Sequence, residues 1–331
     1  MSETQRLAVI GQGYVGLPVA MRAVEVGLDV VGFDIDRDRI AQLLEGSSYI
    51  GDVSDDAVEA ALGSGRYVPT DSPEHLAGFD SAVISVPTPL RDGAPDLSYI
   101  ESAAETLAPH VSSGSTVVLE STTYPGTTQE LERPLLEKGS GLRAGRDFHL
   151  GYSPERINPG EPVDTFVATP KVVSGIDERS LAAVSGLYQR LVDTVVPVGT
   201  TEVAELTKLL ENTFRHVNIA LVNELAVYAH DLGIDVWEAI DAASTKPFGY
   251  MRFTPGPGVG GHCLPIDPSY LAWRVKQHLG QTFRFVELAN DVNEHMPDYV
   301  YARVQSMLNE QERSVKGTRA VSYTHLRAHE T

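Results

Sequence analysis

The stretch Arg6–Pro18, RLAVIGQGYVGLP, decides the fold of the N-terminal half of the chain. Its first five residues form a short apolar run that predicts a buried β-strand. Gly11, Gly13 and Gly16 follow with GxGxxG spacing, and Leu17–Pro18 open a helical stretch. Because proline is favourable in a first helical turn, the pattern predicts a strand, a glycine turn and a helix in direct succession.

A second strand over Leu28–Phe33 closes a βαβ unit and ends on Asp34, eighteen residues after Gly16. An acid about 20 residues beyond the glycines is placed to bind the ribose hydroxyls of a dinucleotide, whose pyrophosphate lies at the helix N-terminus. An acid at position 34 disfavours the additional phosphate of NADP, so the expected cofactor is NAD. A glycine turn without a dinucleotide is the alternative, and four agreeing features disfavour it.

Composition limits the classes of function. With 331 residues, of which 42% are apolar, about two domains are expected. A net charge of −19 disfavours binding to nucleic acid or to anionic membranes. A single cysteine excludes an internal disulfide and fits a reducing compartment. Because there is no apolar signal core and no run of about 20 apolar residues, we expect a soluble cytoplasmic protein.

Apolar strand-like runs alternate with helical or turn-rich segments beyond Asp34. This alternation predicts an α/β fold with a mostly parallel sheet, helices on both faces, and ligand-binding loops after the strand C-termini. Thr and Ser in these loops are commonly local caps, but the adjacent Glu155 and Arg156 suit substrate binding. The runs are 81–86, 116–120, 148–152, 171–174 and 194–198.

From Thr201 the sequence TEVAELTKLLENTFRHVNIALVNELAVYAHDLG predicts one long amphipathic helix that stops at Gly233. A helix of about 32 residues would be about 48 Å long, which indicates a spine between domains or a dimer surface. Lys208 and Asn212 are four residues apart and therefore lie on one face. For Lys208, a solvated surface position and a role as oxyanion or proton partner are both open.

The segment Thr245–Tyr270, TKPFGYMRFTPGPGVGGHCLPIDPSY, holds Cys263, the only cysteine, at the end of a run of glycines and prolines. A lone cysteine is more often a small buried hydrophobe than a nucleophile. The rigid Gly/Pro loop and the acid Asp267 favour a reactive thiol here. A metal site built from His262, Cys263 and Asp267 lacks a fourth ligand nearby, so no metal is expected.

Together these motifs resemble the UDP-glucose/GDP-mannose dehydrogenase family of NAD-dependent nucleotide-sugar 6-dehydrogenases. The segments SPERINPG, STKPFGYM and TPGPGVGGHC are most similar to enzymes that oxidise UDP-N-acetylglucosamine or a related N-acetylated sugar. The resemblance extends in order over about residues 6–319, in GQGYVGLP (11–18), VPTP (86–89), ESTTYPGTT (120–128), YSPERINPG (152–160), KLLENTFRHVNIALVNELA (208–226) and GVGGHCLPIDP (258–268).

The resemblance implies a Rossmann-type NAD-binding domain over 1–200, with the long helix leading into an all-helical catalytic and dimerisation domain over 201–310. A UDP-binding domain should follow, and residues 311–320 are expected to be its beginning. Residues 321–331 lack strand periodicity, and we expect them to be a non-native tail. Without the UDP-binding domain, turnover is expected to be poor.

The implied reaction is a four-electron oxidation of the C6 hydroxymethyl group of a UDP-sugar to the uronic acid. Cys263 would attack the intermediate aldehyde, and the thiohemiacetal would be oxidised to a thioester that water hydrolyses. A thiolate is the strongest nucleophile available near neutral pH. The other implied roles are oxyanion stabilisation by Lys208 and Asn212, water positioning by Asp267 and Thr122, and acid/base catalysis in hydrolysis by Glu155.

The same resemblance supplies the expected contacts of each ligand, together with a homodimer formed through the central domain. The expected NAD contacts are Gly11, Gly13, Tyr14, Val15, Gly16, Asp34, Arg39, Thr88 and Thr122. The expected substrate contacts are Glu155, Arg156, Lys208, Asn212, Arg252 and Gly260.

Two other functions stay open. One is a one-step dehydrogenase of β-hydroxyacid type, in which Lys208 is the acid/base and Cys263 is incidental. The other is an inactive fragment that binds NAD and dimerises.

Overall fold

The computed structural model describes residues 5–91, 93–156, 163–260 and 263–319, without the side chains of 163–165, 263 and 265. The chain divides into two compact units, Met1–Lys208 and Leu209–Thr331. The expected tail, 321–331, lies outside the described residues. No helix in the described part is long and apolar enough to cross a membrane.

The first unit is built on an eight-stranded sheet of order β10-β9-β8-β7-β4-β1-β2-β3. Two short strands, β5 and β6, form a separate antiparallel pair. The strands are β1 Arg6–Ile10, β2 Asp29–Phe33, β3 Tyr67–Thr70, β4 Ser81–Ile84, β5 Leu90–Arg91, β6 Ala94–Pro95, β7 Thr116–Leu119, β8 His149–Tyr152, β9 Lys171–Gly175 and β10 Val195–Pro197.

Helices cover both faces of this sheet, as predicted. Alternate residues of β1 enter opposite cores, because Leu7 and Val9 belong to one hydrophobic cluster and Ala8 and Ile10 to the other. The helices of this unit are α1 Gly16–Glu25, α2 Arg37–Leu44, α3 Asp55–Gly63, α4 Ser98–Leu107, α5 Arg133–Ser140, α6 Val163–Ala168 and α7 Glu178–Leu191. A π-helical turn, Thr128–Glu132, precedes α5.

The sheet is mostly parallel, as expected, but its direction changes once. β8 pairs with β9 antiparallel through Gly151–Gly175 and Tyr152–Ser174. β10 then runs parallel to β9. The N-terminus of β9 therefore lies at the sheet edge where β7 and β8 end, which brings Lys171 to the edge that carries the predicted ligand loops.

The long helix α8, Thr201–Asp231, has 31 residues and agrees with the prediction at both ends. The Val203 N–H donates to the Thr200 hydroxyl (3.3 Å), which caps the start. Gly233 takes a positive φ of 69° just after the end. Lys208 is the last residue of the first unit, so the boundary between the units falls within this helix.

The described part of the second unit is helical, as predicted for the central region. Its apolar interior includes Ile219, Ile240, Tyr270 and Val286. After the C-terminal part of α8 come α9 Val236–Ser244, α10 Cys263–Leu279 and α11 Arg284–Glu310. The glycine- and proline-rich segment 245–260 connects α9 towards α10 without forming a helix or strand.

Candidate functional site

The glycine turn after β1 adopts the geometry that its spacing predicts. A Cβ on Gly11, whose φ is 92°, would lie 2.7 Å from the Ser85 carbonyl oxygen. A Cβ on Gly16 would lie only 1.8 Å from the Gly11 carbonyl oxygen. Gly13, in contrast, has nothing within 4 Å of a Cβ position. Two glycines thus allow close packing of the turn, while the third leaves open space beside the start of α1.

Asp34 lies at the C-terminal end of β2, beside that turn, and is buried. Its carboxylate accepts from the Gln12 N–H (2.8 Å) and the Asp36 N–H (3.0 Å). Arg39 lies 3.5 Å from the same carboxylate, so the two predicted cofactor residues are brought together. Tyr49 stacks against the Arg39 guanidinium and donates its hydroxyl to the Gln12 carbonyl. The acid is therefore held in place at the mouth of the turn.

Gln12 and Tyr49 support this turn, and sequence reasoning missed both. The Gln12 side chain is fully buried, donates to the Val9 carbonyl (3.0 Å) and accepts from the Tyr67 hydroxyl (2.7 Å). The signal available was a polar residue between two glycines directly after a buried strand.

The other predicted cofactor residues lie around the same edge of the sheet. Tyr14 is exposed and Val15 is partly buried at the start of α1. Thr88 and Thr122 are partly buried in the loops after β4 and β7. The Ser121 hydroxyl joins these loops by donating to the Val86 carbonyl (2.7 Å).

Glu155 and Lys208, both predicted to act on substrate, meet in the first unit. The Lys208 ammonium donates to the main-chain carbonyl of Glu155, and both side chains are buried. The solvated alternative for Lys208 is therefore wrong. Arg156 instead donates to the Pro170 carbonyl (2.6 Å).

A buried ionic cluster, which sequence reasoning missed, adjoins Glu155. The Lys171 ammonium lies 2.6 Å from Glu120 and 3.1 Å from Glu155, and Tyr188 donates its hydroxyl to Glu120 (2.6 Å). Burial lowers the pKa of Lys171, but its two carboxylate partners outweigh burial and raise it overall. Burial likewise raises the pKa of Glu120. The available signal was a lysine at the head of an apolar strand.

A second buried acidic pair lies behind the loop that carries Thr122. Glu205 on α8 accepts from the Gly126 N–H (2.6 Å), the Thr128 N–H (2.9 Å) and the Thr128 hydroxyl (2.7 Å). Burial nevertheless raises the pKa of Glu205 to about 7. Burial and the nearby Glu205 raise the pKa of Glu132 well above its ordinary value.

In the second unit, Asn212 donates its side-chain amide to the Asp267 carboxylate at 2.5 Å. Asp267 is buried on α10, one helical turn after Cys263, with which that helix begins. The side chain of Cys263 lies outside the described residues. Two residues with predicted chemical roles, from α8 and α10, are thus in direct contact.

The Gly/Pro-rich segment is fixed to the helices of the second unit by a buried asparagine pair. Asn223 of α8 accepts from the Gly256 N–H (2.9 Å) and donates to Asn293 of α11 (2.9 Å). A Cβ on Gly258, whose φ is 119°, would lie 3.0 Å from the Asn293 carbonyl oxygen. The segment is therefore held against α11 by contacts that only glycine permits.

Two predicted substrate residues lie at the surface of the second unit. Arg252 is paired with Asp241 (2.9 Å), and Gly260 is exposed. Among the described residues, no group of three or more His, Cys, Asp or Glu is arranged to hold a metal ion. His262 and the Cys263 side chain, which the metal alternative requires, lie outside them.

Comparison with known families shows two matches in succession. The NAD binding domain of the UDP-glucose/GDP-mannose dehydrogenase family matches residues 5–192. The central domain of the same family matches residues 202–295.

Individual relatives agree with these matches. A UDP-N-acetyl-D-mannosamine dehydrogenase of Pyrococcus horikoshii is 41% identical over 295 residues, covering 89% of this chain and 69% of the relative. A UDP-N-acetyl-D-glucosamine 6-dehydrogenase of Pseudomonas aeruginosa is 38% identical over 320 residues, covering 96% and 74% respectively. A solved UDP-D-ManNAc dehydrogenase from Pyrococcus horikoshii superimposes with a TM-score of 0.88 at 38% identity, over 93% of this chain and 73% of that one.

Proposed function

Because the chain belongs to the UDP-glucose/GDP-mannose dehydrogenase family, we propose that it oxidises the C6 hydroxymethyl group of a UDP-sugar to a carboxylate, using two NAD⁺. The balance is RCH₂OH + 2 NAD⁺ + H₂O → RCOO⁻ + 2 NADH + 3 H⁺. Relatives named for UDP-N-acetylmannosamine and UDP-N-acetylglucosamine support an N-acetylated hexose as the sugar.

The contact between Asn212 and Asp267 carries this proposal. It joins an amide donor, suited to an oxyanion, to a buried carboxylate one turn beyond Cys263. A one-step alcohol dehydrogenase needs an acid/base but no thiol, and it gives no reason for this arrangement beside a cysteine.

Each step has a residue of matching chemistry. The Cys263 thiolate adds to the aldehyde carbon of the first oxidation product, and the oxyanion is stabilised by Lys208 and Asn212. Loss of the remaining C6 hydrogen as hydride leaves a thioester. Water, positioned by Asp267 and Thr122, attacks that thioester with Glu155 accepting its proton, and the thiolate leaves.

The first unit fits NAD. The open space beside Gly13 admits a pyrophosphate close to the backbone, and the buried Asp34 presents a carboxylate suited to ribose hydroxyls. Bound NAD⁺ accepts the hydride in each oxidation. Gly11, Gly13, Gly16, Tyr14 and Val15 would surround the phosphates, and Arg39, Thr88 and Thr122 would complete the site.

The test is the NADH yield of the purified chain with UDP-GlcNAc, UDP-GalNAc, UDP-ManNAc and UDP-glucose. We expect two NADH per sugar with one of the N-acetylated substrates. A single NADH per sugar would instead support the one-step dehydrogenase that uses Lys208, and no turnover with any of the four would support the inactive NAD-binding fragment.

The Cys263→Ser variant tests the nucleophile. It should retain NAD binding, measured by fluorescence titration, but lose steady-state formation of the uronic acid. Formation of the acid at the wild-type rate would contradict the role of Cys263.

We propose that Arg156, Arg252 and Gly260 contact the substrate. Arg252 would have to leave Asp241 to bind a phosphate or acyl group. We also propose a homodimer formed through the second unit, since α8 presents an exposed apolar stripe there.

A further inference from the structure

We propose that Lys171 is a positioning residue for the reaction, holding the Glu155 carboxyl group in the orientation that its acid/base step needs. This rests on the proposed function, because it assigns Lys171 a part in the hydrolysis that Glu155 serves. Lys171 has no role in the mechanism set out above, and no sequence motif identified it.

Lys171 is a buried cation in contact with two buried carboxylates. Lys171 opens β9, and because β9 is antiparallel to β8, its first residue lies at the edge where β7 and β8 end. The Lys171 side chain is 3% exposed, Glu120 0% and Glu155 6%. Its ammonium bridges the two carboxylates at 2.6 and 3.1 Å.

Aromatic rings and hydrogen bonds surround the Lys171 ammonium and its partner Glu120. Its Nζ atom lies 5.2 Å from the ring centre of Tyr188 and 5.8 Å from that of Phe166. Tyr188 of α7 donates its hydroxyl to the same oxygen of Glu120 that Lys171 contacts. The other oxygen of Glu120 is buried and has no hydrogen-bond partner among the described residues. Glu120 is thus fully buried and fixed by Lys171 and Tyr188.

One ammonium cannot neutralise two buried carboxylates. The Lys171 ammonium donates to the Glu155 carboxylate at 3.1 Å, so the cation is in direct contact with the group that it positions. Burial raises the pKa of Glu120, the second carboxylate. The charged and titratable groups that face Glu155 include Lys171 from β9, Glu120 after β7, Tyr188 from α7 and Lys208 from α8. Lys208 contacts the Glu155 main-chain carbonyl, whereas Lys171 contacts the Glu155 carboxylate.

A buried salt bridge that serves only the fold would have a different signature. Removing it would reduce the amount of folded enzyme, but the pH dependence of the remaining activity would stay unchanged. Removing a cation that contacts a buried carboxylate makes the ionised form of that carboxylate less favourable. The acidic limb of the hydrolysis rate should then move to higher pH.

The experiment follows hydrolysis directly. Enzyme is mixed with NAD⁺ and the UDP-sugar found active above, and decay of the covalent adduct on Cys263 is measured by quenched-flow intact mass spectrometry between pH 5 and pH 9. For Lys171→Met we expect the acidic limb to move up by one pH unit or more, which slows decay about tenfold on that limb. For Lys171→Arg, which keeps a cation at this position, the acidic limb should move by less than half of the shift expected for Lys171→Met. The exposed Lys138→Met is the matched control and should match wild type.

Lys171→Met leaves two buried carboxylates without a cation, so its folding is checked by near-UV circular dichroism. If it does not fold, Lys171→Met combined with Glu120→Gln removes one cation together with one acid. The same upward shift is expected in this pair, whereas Glu120→Gln alone should leave the limb at or below its wild-type position.

An unshifted limb in folded Lys171→Met, or in the double variant, overturns the role of Lys171. Failure of the proposed function would look different, because wild-type enzyme would then form no Cys263 adduct and would not release two NADH per sugar. A wild type that forms the adduct and two NADH, together with an unshifted variant, rejects only the positioning role.

Discussion

Gly16 and Gly13, three residues apart, differ in the space that they leave for a larger side chain. A methyl group on Gly16 would collide with the Gly11 carbonyl oxygen, whereas one on Gly13 meets no protein atom within 4 Å. If the open space at Gly13 is reserved for the pyrophosphate, alanine there should disturb only the ligand.

We therefore expect Gly16→Ala to destabilise the first unit by about 1–3 kcal/mol, because overpacked sites must shift their neighbours. The free energy of unfolding of Gly13→Ala should lie within about 0.5 kcal/mol of the wild-type value. This variant should bind NAD at least about tenfold more weakly than wild type. Urea denaturation and NAD titration of both variants check this. Unchanged NAD affinity in Gly13→Ala would show that the phosphates bind elsewhere.

At the scale of elements, the π-helical turn Thr128–Glu132 carries a buried acid against α8. Both carboxylate oxygens of Glu132 lack a hydrogen-bond partner among the described residues, and Glu205 adds a like charge. Glu205 of α8 also accepts from Gly126 and Thr128, so the loop that bears Thr122 is bonded to one member of this acidic pair.

The sign of the pH dependence follows from the raised pKa values of both acids. The ordinary pKa of a glutamate carboxyl group, taken here for the unfolded state, is 4.5. A carboxyl group whose pKa is higher in the folded state stabilises the fold fully below pH 4.5, and this contribution is lost as the pH rises through the folded pKa. For Glu205 the loss begins near pH 4.5 and is complete just above pH 7. The thermal unfolding midpoint of the first unit should therefore decrease as the pH rises from about 5 to about 8.

Glu132→Gln should flatten this decline and raise the thermal midpoint at pH 8, because a neutral amide no longer repels Glu205. Glu130→Gln, on the same turn but exposed, is the matched control and should behave as wild type. Scanning calorimetry at pH 5.5 and pH 8 measures the difference. An equally steep decline in Glu132→Gln would place the titrating group elsewhere.

The elements that the sequence predicted are those that local patterns define. The GxGxxG turn and Asp34 lie within one βαβ unit, and the 3.6-residue period and Gly233 defined α8 almost to the residue. The strand β3 was missed because Pro69 weakens its strand signal, and it is tolerated since β3 is an edge strand. The direction of β9 was missed because strand direction depends on the connection between strands, which no local pattern records. Lys171 was missed with it.

The partners of a candidate residue depend on the fold. Lys208 and Asn212 were identified by their spacing, but only the fold shows which partners they contact, namely the Glu155 carbonyl and Asp267. Gln12 and Glu205 hold loops of the candidate site through hydrogen bonds to Tyr67 and Thr128. Their importance arises from burial and from partners distant in sequence, which composition does not encode.

At the scale of the whole molecule, the second unit exposes a stripe of large apolar side chains on α8. It borders a groove of about 870 Å³ lined mainly by apolar residues of the same unit. Monomers rarely leave such a patch open, and a face on a single helix can pair with itself about a two-fold axis. The stripe consists of Leu210, Phe214, Leu221, Leu225 and Tyr228.

Self-association through this stripe can be tested by placing charged residues in it and measuring the mass of the sedimenting species. Wild-type protein should sediment as a species of twice the chain mass of 35.8 kDa. Leu221→Glu combined with Leu225→Glu would place four like charges at a two-fold interface, so this variant should sediment as a monomer at protein concentrations where wild type is dimeric. Val68→Glu, at an exposed apolar position on the sheet of the first unit, is the control and should remain dimeric. A monomeric wild type would contradict self-association through the stripe, and a dimeric double variant would place the interface outside α8.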